Sequence, residues 1–344
     1  MIVNLANSFS YRSEVCVYTV DESASFYPLN DEVKHTKIGK KFSGSIERLN
    51  FLYSIYHLYK LLNKNKPDVL VSFIDLNNIV SIIVAKLLKI PVIISERSNP
   101  EYFQSNHLLN FMIKMLYKRA DLLVLQTKGV RGSFLRLNIK LPETTVLPNF
   151  LNEDFYREVD FTKKKKIILL VGRFRAEKNH IQFLKALLLS KTAGWTIKII
   201  GDGEKYGECI EFIKQHGLSD KVILEGKKPN VIDYYDEASI FVLPSLFEGF
   251  PNVLIEAMSR GCVCLASDCN YGPNEIIQHG HNGFLFEVNN IENLSELMNM
   301  TINLSENNKQ SIMNEAIECA KKYRFNQISS LWFNAISAKA RKNR

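Results

Sequence analysis

Three short segments of the 344-residue chain carry side chains that could act on a phosphorylated polyol. The first is Val171-Gly172-Arg173-Phe174-Arg175-Ala176-Glu177-Lys178-Asn179-His180. It follows a strand-like run and precedes a helix-like one. Its cations are therefore expected to project from the carboxyl end of a sheet, where open α/β sheets take their ligands. Arg173 and Lys178 could neutralise a pyrophosphate there. Surface loops also carry Arg and Lys for solubility, so this segment decides nothing by itself. The second segment is Ile200-Gly201-Asp202-Gly203-Glu204, with Gly207 beyond. Its spacing is close to a dinucleotide fingerprint. Asp202 and Glu204 would oppose a bound pyrophosphate, so the glycines are expected to serve a tight turn, and a dehydrogenase is disfavoured. The third is Pro244-Ser245-Leu246-Phe247-Glu248-Gly249-Phe250-Pro251-Asn252-Val253-Leu254-Ile255-Glu256-Ala257. A strand ends at Leu243, a loop carries Glu248 and Gly249, and Pro251 stands where a helix is expected to start. Free N–H groups at such a start can hold phosphate or polarise sugar oxygens. Glu256, expected in the second turn of that helix, could accept hydrogen bonds from vicinal hydroxyls. Two carboxylates in an otherwise apolar stretch point to polyol ligands, because a buried carboxylate needs partners. A capped helix with two solvated glutamates is the alternative, and it accounts less well for the three segments together.

Short apolar, β-branched runs separated by helix-like stretches provide the frame. In the first half they are residues 14–18, 69–73, 92–95 and 122–125, with helices expected over 52–63 and 108–118. In the second half they are residues 167–171, 196–200, 222–224, 240–243 and 263–266. Strands of this kind imply parallel sheets covered on both faces, hence two doubly wound α/β domains. The expected division is 1–150, 151–325 and a terminal helix, 326–344, packing back towards the N-terminal domain. The lysine run Lys163–Lys166 is read as an exposed strand entry. The chain opens with a helix over Met1–Phe9, whereas a Rossmann-like domain ordinarily begins with a strand and a Gly-rich turn. The first domain is therefore expected to start differently, or to lack its first strand and loop.

Composition narrows the classes. The 46% hydrophobic and 23% charged content is that of an ordinary globular protein. Net charge is +8, of which the first 150 residues hold +7, so that half is expected to face something anionic. No apolar run has the length of a bilayer span; Ile79 to Ile94 reads as helix, turn and buried strand. The N-terminus carries no evident secretion signal and the six cysteines are sparse, which together favour the cytoplasm. Cys262-x-Cys264, with Cys269 beyond, is read as a buried strand rather than a metal site. No Asp-x-Asp occurs, so a metal-bridged diphosphate is not supported; no cofactor is expected. No nucleic-acid-binding module is recognisable. Residues 106–119 form a basic amphipathic pattern that could lie on anionic lipid or pack as an ordinary core helix.

Over nearly its whole length the sequence resembles the retaining GT-B glycosyltransferases of family 4. The specific part is Gly172–Lys178 together with Glu248 and Glu256, which look like that family's E-x7-E signature. The resemblance implies two Rossmann-like domains facing across a cleft and a metal-independent hexosyl transfer with retention of configuration. It implies that Arg173 and Lys178 hold the nucleotide pyrophosphate and stabilise it as it leaves. Glu248 would sit near the donor sugar hydroxyls and Glu256 would bind the ribose. Gly172, Asn252 and the backbone of Gly249, Phe250 and Pro251 would line the donor pocket. The stretch Gly226–Asn230, with Gly226 and Lys228, is similar to the family's nucleobase loop, and Tyr271–Glu275 matches a further segment near the donor. The first half resembles acceptor domains of bacterial enzymes that build surface polysaccharides on polyprenyl-diphosphate carriers, through Ser72–Asn78, Ser95–Pro100 and Leu125–Thr127. Arg97 and Asn99 would lie on that acceptor side. Relatives open with a strand and a Gly-Gly loop that this sequence does not show. The implied reaction moves a hexose or N-acetylhexosamine from a nucleotide diphosphate sugar, UDP-linked by preference, to a lipid-linked saccharide at the inner face of the cytoplasmic membrane. A sugar-nucleotide epimerase and a non-catalytic nucleotide- or lipid-binding protein are the rivals.

Overall fold

The computed structural model describes residues 1–20, 28–38, 47–97 and 107–340, and structural statements refer to these. They form two compact units, Met1–Asn149 with Asn326–Arg344, and Phe150–Phe325.

Unit 1 opens with a helix, α1 (Ile2–Ser10), followed by β1 (Cys16–Thr19), β2 (Lys34–Lys37) and α2 (Glu47–Asn65). Then come β3 (Leu70–Phe73), α3 (Asp75–Leu88), β4 (Val92–Ser95), α4 (His107–Leu116), β5 (Leu122–Leu125), α5 (Lys128–Arg136) and β6 (Thr144–Val146). All pairings are parallel. Among the described residues the strands form two separate sheets, β1-β2 and β3-β4-β5-β6. Strands β4 and β5 are buried at every position, as expected where helices cover both faces. Helix α3 ends where Lys89 turns left-handed, and Pro91 then leads into β4. The amphipathic segment is shorter than its pattern suggests: α4 stops at Leu116, and Tyr117–Arg119 form a 3-10 turn.

Unit 2 contains β7 (Lys165–Val171), α6 (His180–Leu189), β8 (Thr196–Ile200), α7 (Tyr206–Gln215), β9 (Val222–Gly226), α8 (Ile232–Glu237) and β10 (Ala238–Leu243). It continues with α9 (Asn252–Ser259), β11 (Val263–Ser267), α10 (Pro273–Ile276), β12 (Phe284–Phe286), α11 (Ile291–Ile302) and α12 (Glu306–Lys321). Its six parallel strands run β12-β11-β10-β7-β8-β9, the doubly wound order in which the chain starts at the centre and fills both sides. One face buries Phe174, Phe183 and Trp195, the other Tyr235, Phe241 and Met258. Cys262 and Cys264 belong to the second core. The lysine run is not simply a solvated strand entry. Lys164 directs its Nζ onto the carbonyls of Tyr235, Ala238 and Arg260, each at 2.8 Å, and so ties down the start of β7.

The last helix, α13 (Phe325–Ala340), lies in unit 1 from Asn326 on. There Trp332 is fully buried beside Phe73, Phe333 meets Phe9, and Lys339 pairs with Glu143 at 2.7 Å. No helix among the described residues is long and apolar enough to cross a membrane.

Candidate functional site

The loops leaving β7, β8, β9 and β10 gather at the carboxyl end of the unit 2 sheet. The first two are locked by backbone contact. Gly172 donates to Ile200 O, Phe174 to Asp202 O and Lys205 to Phe174 O, while Gly201 donates to Gly226 O at the end of β9. This approach tolerates no side chain: a Cβ on Gly201 would stand 1.9 Å from Gly172 O, and one on Gly203 2.5 Å from Phe174 O. Both glycines have strongly positive φ. They therefore serve a tight turn.

Against this frame the β7 loop presents its cations. Arg173 is exposed. Lys178 ends a short 3-10 turn, with Asn179 in a left-handed conformation before α6. The Lys178 stem passes Gly172, and its Nζ lies 2.7 Å from Glu248 Oε1 in the β10 loop. Glu248 is buried and also accepts from Ser245 Oγ at 2.6 Å. The two loops are sewn together again by Leu246 N–H on Glu177 O. Ser267, at the end of β11, donates to Ser245 O and holds that residue in place. Next to Lys178, His180 is buried in a parallel stack on Phe174 at 4.3 Å. Burial first, and then the Lys178 charge, bring its pKa down to about 4, so it is neutral near pH 7.

The loop from Gly249 to Pro251 leads into α9, which starts at Asn252; Pro251 is the cap before the helix, not its first residue. The expected cluster of free N–H groups is partly occupied, since Asn252 donates to Phe250 O and Leu254 to Pro251 O. Gly272, with φ +94°, presses on Pro251, where a Cβ would fall 2.6 Å from the proline ring and 3.7 Å from Glu248 Cβ. The Tyr271–Glu275 segment is thus part of the wall behind Glu248. On α9, Glu256 accepts from Tyr235 Oη at 2.9 Å, and burial lifts its pKa to about 7. Burial, and then Glu256, push the Tyr235 phenol well above its ordinary range, so it stays a neutral donor.

At the end of β9, Gly226 has φ +69° and opens the predicted base-contacting loop. Lys228 pairs with Glu225 at 3.1 Å, and the Tyr234 hydroxyl donates to that same carboxylate at 3.1 Å. Tyr234, Tyr235, Ser245 and Glu225 were not singled out from the sequence. Ser245 stands inside the third segment, three residues from Glu248, whereas Glu225, Tyr234 and Tyr235 lie beyond the three motifs, and only the folded packing shows what each of the four meets.

The acceptor-side pair divides. Asn99 lies outside the described residues. Arg97, just past β4, donates to Asn149 Oδ1 and lies 5.3 Å over the Phe73 ring and 5.8 Å over that of Trp332. Burial brings its pKa down to about 10. Its neighbour Glu96 is fully inside, accepting from Tyr117 Oη at 2.6 Å.

Comparison with known proteins places these features in a lineage. The family described as "Glycosyl transferases group 1" matches residues 152–318, and "Glycosyl transferase 4-like" matches residues 2–127. The GalNAc-α-(1→4)-GalNAc-α-(1→3)-diNAcBac-PP-undecaprenol α-1,4-N-acetyl-D-galactosaminyltransferase of Campylobacter jejuni is 28% identical over 98% of this chain and 93% of its own. The UDP-Gal:α-D-GlcNAc-diphosphoundecaprenol α-1,3-galactosyltransferase of Escherichia coli is 24% identical over 79% and 75%. Among solved structures, the apo form of the lipopolysaccharide outer core galactosyltransferase WaaB superposes with a TM-score of 0.78 at 20% identity, covering 98% of this chain and 94% of its own. Sucrose-phosphate synthase from Thermosynechococcus elongatus superposes with a TM-score of 0.84 at 16% identity, covering 98% and 93%. With both halves matched, the chain belongs to the GT-B hexosyltransferases of family 4, the group 1 glycosyltransferases.

Proposed function

We propose that this glycosyltransferase moves a hexose or N-acetylhexosamine, with retention, from a UDP-sugar to a saccharide carried on undecaprenyl diphosphate, as part of surface polysaccharide assembly. The observation that carries the reading is the Lys178–Glu248 pair set beside exposed Arg173 at the carboxyl ends of β7 and β10. Breaking the anomeric carbon–oxygen bond leaves negative charge on the nucleotide diphosphate, and fixed cations facing that oxygen lower the barrier. Arg173 and Lys178 supply them. Glu248 holds Lys178 in register and turns its remaining oxygen towards the sugar hydroxyls. Glu256 receives the ribose hydroxyls, supported from behind by Tyr235. Gly172, Gly249, Phe250, Pro251 and Asn252 shape the donor pocket, and Gly226 with Lys228 borders the base. The names of the Campylobacter and Escherichia relatives support the choice of donor and carrier.

Acceptors of that kind are anchored in a bilayer, and unit 1 offers a surface suited to it. On α4, Leu108, Phe111 and Met115 are exposed in one stripe beside Lys114, and on α2, Leu52, Tyr56 and Tyr59 are exposed beside Lys60. Only Ile113 of α4 is buried, which favours a lipid-facing helix over a core-packed one. Arg97 would act from unit 1 towards the acceptor. Incubating the protein with labelled UDP-GalNAc, UDP-galactose, UDP-glucose and GDP-mannose, each with a synthetic undecaprenyl-diphosphate-linked acceptor, tests the reading. Transfer from at least one UDP-sugar, with retained configuration by NMR, is expected; hydrolysis or epimerisation without transfer overturns it.

A further inference from the structure

We infer that Tyr234 and Tyr235, neighbours on α8, are positioning residues for the nucleotide: Tyr235 aims Glu256 at the ribose, and Tyr234 aims Lys228 at the base. The inference rests on the donor site as proposed above and adds the two side chains that make its nucleoside end selective.

Helix α8 is placed to serve both groups. It follows directly on the loop after β9, and Asn230 Oδ1 accepts from Ile232 N at 3.1 Å where that loop turns into the helix. Its other end is anchored. Lys164 Nζ donates to the carbonyls of Tyr235 and Ala238 at 2.8 Å, and Arg260, 1% exposed, pairs with Asp236 at 2.6 Å. Lys164 reaches it from the foot of β7 and Arg260 from just past α9. An ammonium at the last carbonyls of a helix also meets the negative end of its dipole. A helix of six residues held at both ends gives its side chains fixed origins. Residues adjacent in a helix point about 100° apart, so the two tyrosines leave it in different directions.

Tyr235 turns inwards. It is fully buried, with its ring against Phe155 and Phe241, and close packing of that kind holds the ring in one orientation. From there its hydroxyl donates to Glu256 Oε2 at 2.9 Å. Glu256 is half-buried and takes this one side-chain hydrogen bond among the described residues, which leaves Oε1 for a ligand. A glutamate without such a partner samples several rotamers; fixing one oxygen fixes where the other points, before the ligand arrives.

Tyr234 turns back over the loop it follows. Its hydroxyl donates to Glu225 Oε2 at 3.1 Å, and Lys228 Nζ lies 3.1 Å from the same oxygen. Two ammoniums approach its ring, Lys198 at 5.3 Å and Lys228 at 6.0 Å from the centre. Lys228 is thus held by a carboxylate and an aromatic face, whereas its neighbours Lys227 and Pro229 are exposed. An ammonium set beside the base donates to a carbonyl and opposes an amino group, so it favours uracil, which has a carbonyl at C4, over cytosine, which has an amino group there.

Calorimetric titration with UDP, 2′-deoxy-UDP and CDP tests this on the parent, Tyr235→Phe and Tyr234→Phe. Both substitutions keep the ring, and thermal unfolding checks that the fold is retained. The parent is expected to bind UDP about tenfold or more tighter than either analogue. Tyr235→Phe should cut the preference over 2′-deoxy-UDP to about threefold or less and leave the preference over CDP within about twofold of the parent's. Tyr234→Phe should do the reverse, and Glu225→Gln, which loosens Lys228 from its other side, should repeat the Tyr234→Phe result. In donor kinetics both tyrosine variants should raise KM while kcat changes less than about threefold, because the groups they aim hold the nucleotide before and during transfer. The inference is overturned if either variant keeps the preference assigned to it, or if each lowers both preferences alike, as a general loosening of α8 would. Glu256→Gln separates this outcome from failure of the donor site. If Glu256→Gln keeps the ribose preference, the reading of Glu256 falls and the role of Tyr235 with it. If Glu256→Gln loses that preference and Tyr235→Phe keeps it, the inference alone falls. A parent without either preference overturns both.

Discussion

Lys178 and Glu248, 70 positions apart in sequence, share a 2.7 Å ion pair that joins the loops after β7 and β10. Glu248 is 8% exposed and Lys178 24%, so the pair is largely shielded and each half depends on the other. Removing one partner leaves the other charge poorly compensated. Lys178→Ala is expected to cost about 1–2 kcal/mol of stability and to lower sugar transfer about 100-fold or more. Glu248→Gln should lose comparable activity, and the double variant should be less than additive in stability. Thermal unfolding with initial-rate kinetics on the four proteins checks this. Additive losses would mean that the pair does not act as a unit.

Arg173 gives the contrasting case. It is exposed, so Arg173→Ala should shift stability by no more than about 0.5 kcal/mol. If it stabilises the departing diphosphate, transfer should still fall about 100-fold or more. A wild-type rate in this variant would remove Arg173 from the proposed mechanism.

Gly201 tests the frame rather than the chemistry. Its missing Cβ is the space taken by Gly172 O, so Gly201→Ala must push apart the loops that carry Arg173 and Lys178. A loss of about 2–4 kcal/mol and of UDP binding is expected, by calorimetry and fluorescence titration. Gly194→Ala, where φ is also positive but a Cβ meets nothing within 4 Å, should be milder and leave UDP binding intact.

Glu256 sets a pH dependence. Its pKa rises from 4.5 in the unfolded chain to about 7 in the fold, because burial disfavours the charge. Between these values the folded state keeps a proton that the unfolded state has released, so this group's contribution to stability falls as pH rises through that window. Glu256→Gln should therefore be more stable than the parent at pH 8, by about 1–3 kcal/mol, with the gap closing below pH 5. The same variant should bind UDP more weakly at pH 8 and lose the parent's decline in affinity below pH 7. Urea titrations and UDP binding from pH 5 to 8 give both readings.

His180 works in the opposite sense. Its pKa falls from 6.5 to about 4 through burial and the Lys178 charge. Below pH 6.5 the unfolded chain takes up a proton that the fold refuses, so stability is lost as pH drops towards 4, by up to about 3 kcal/mol. Its Nδ1 has no partner among the described residues. His180→Phe keeps the stack on Phe174 and should flatten this acid decline. Equal slopes in urea midpoints from pH 7.5 to 5 would place the acid sensitivity elsewhere.

The surface of α4 makes the last case. Leu108→Ser with Phe111→Ser should reduce sedimentation with anionic liposomes about tenfold or more while leaving UDP binding unchanged, and binding of the parent should weaken with salt. Failure of the parent to bind, or indifference to the substitutions, would mean that the lipid-linked acceptor is met without this helix.

Much of this site was legible in the sequence because it is written locally. Apolar runs marked most strands of both units, and the loop residues after them, Gly172–Lys178 and Glu248–Glu256, were found by type and spacing. The glycines at 201 and 203 were read as a turn because two acids sit among them. Three strands escaped. Lys34–Lys37 carries two lysines and a histidine, Thr144–Val146 and Phe284–Phe286 are three residues long, and such segments become strands only when a neighbour offers its edge.

The sequence by itself determined the alternation of strands and helices, the doubly wound class and the side chains available for phosphate and sugar. Tertiary structure alone decided which of them meet: Glu248 with Lys178 and Ser245, Glu256 with Tyr235, and Lys164 with three carbonyls. The reason is physical. Periodicity and turn chemistry act over a few residues, whereas partners for buried charges and strand edges come from chain segments tens of residues away, and only the folded packing brings them within hydrogen-bonding distance.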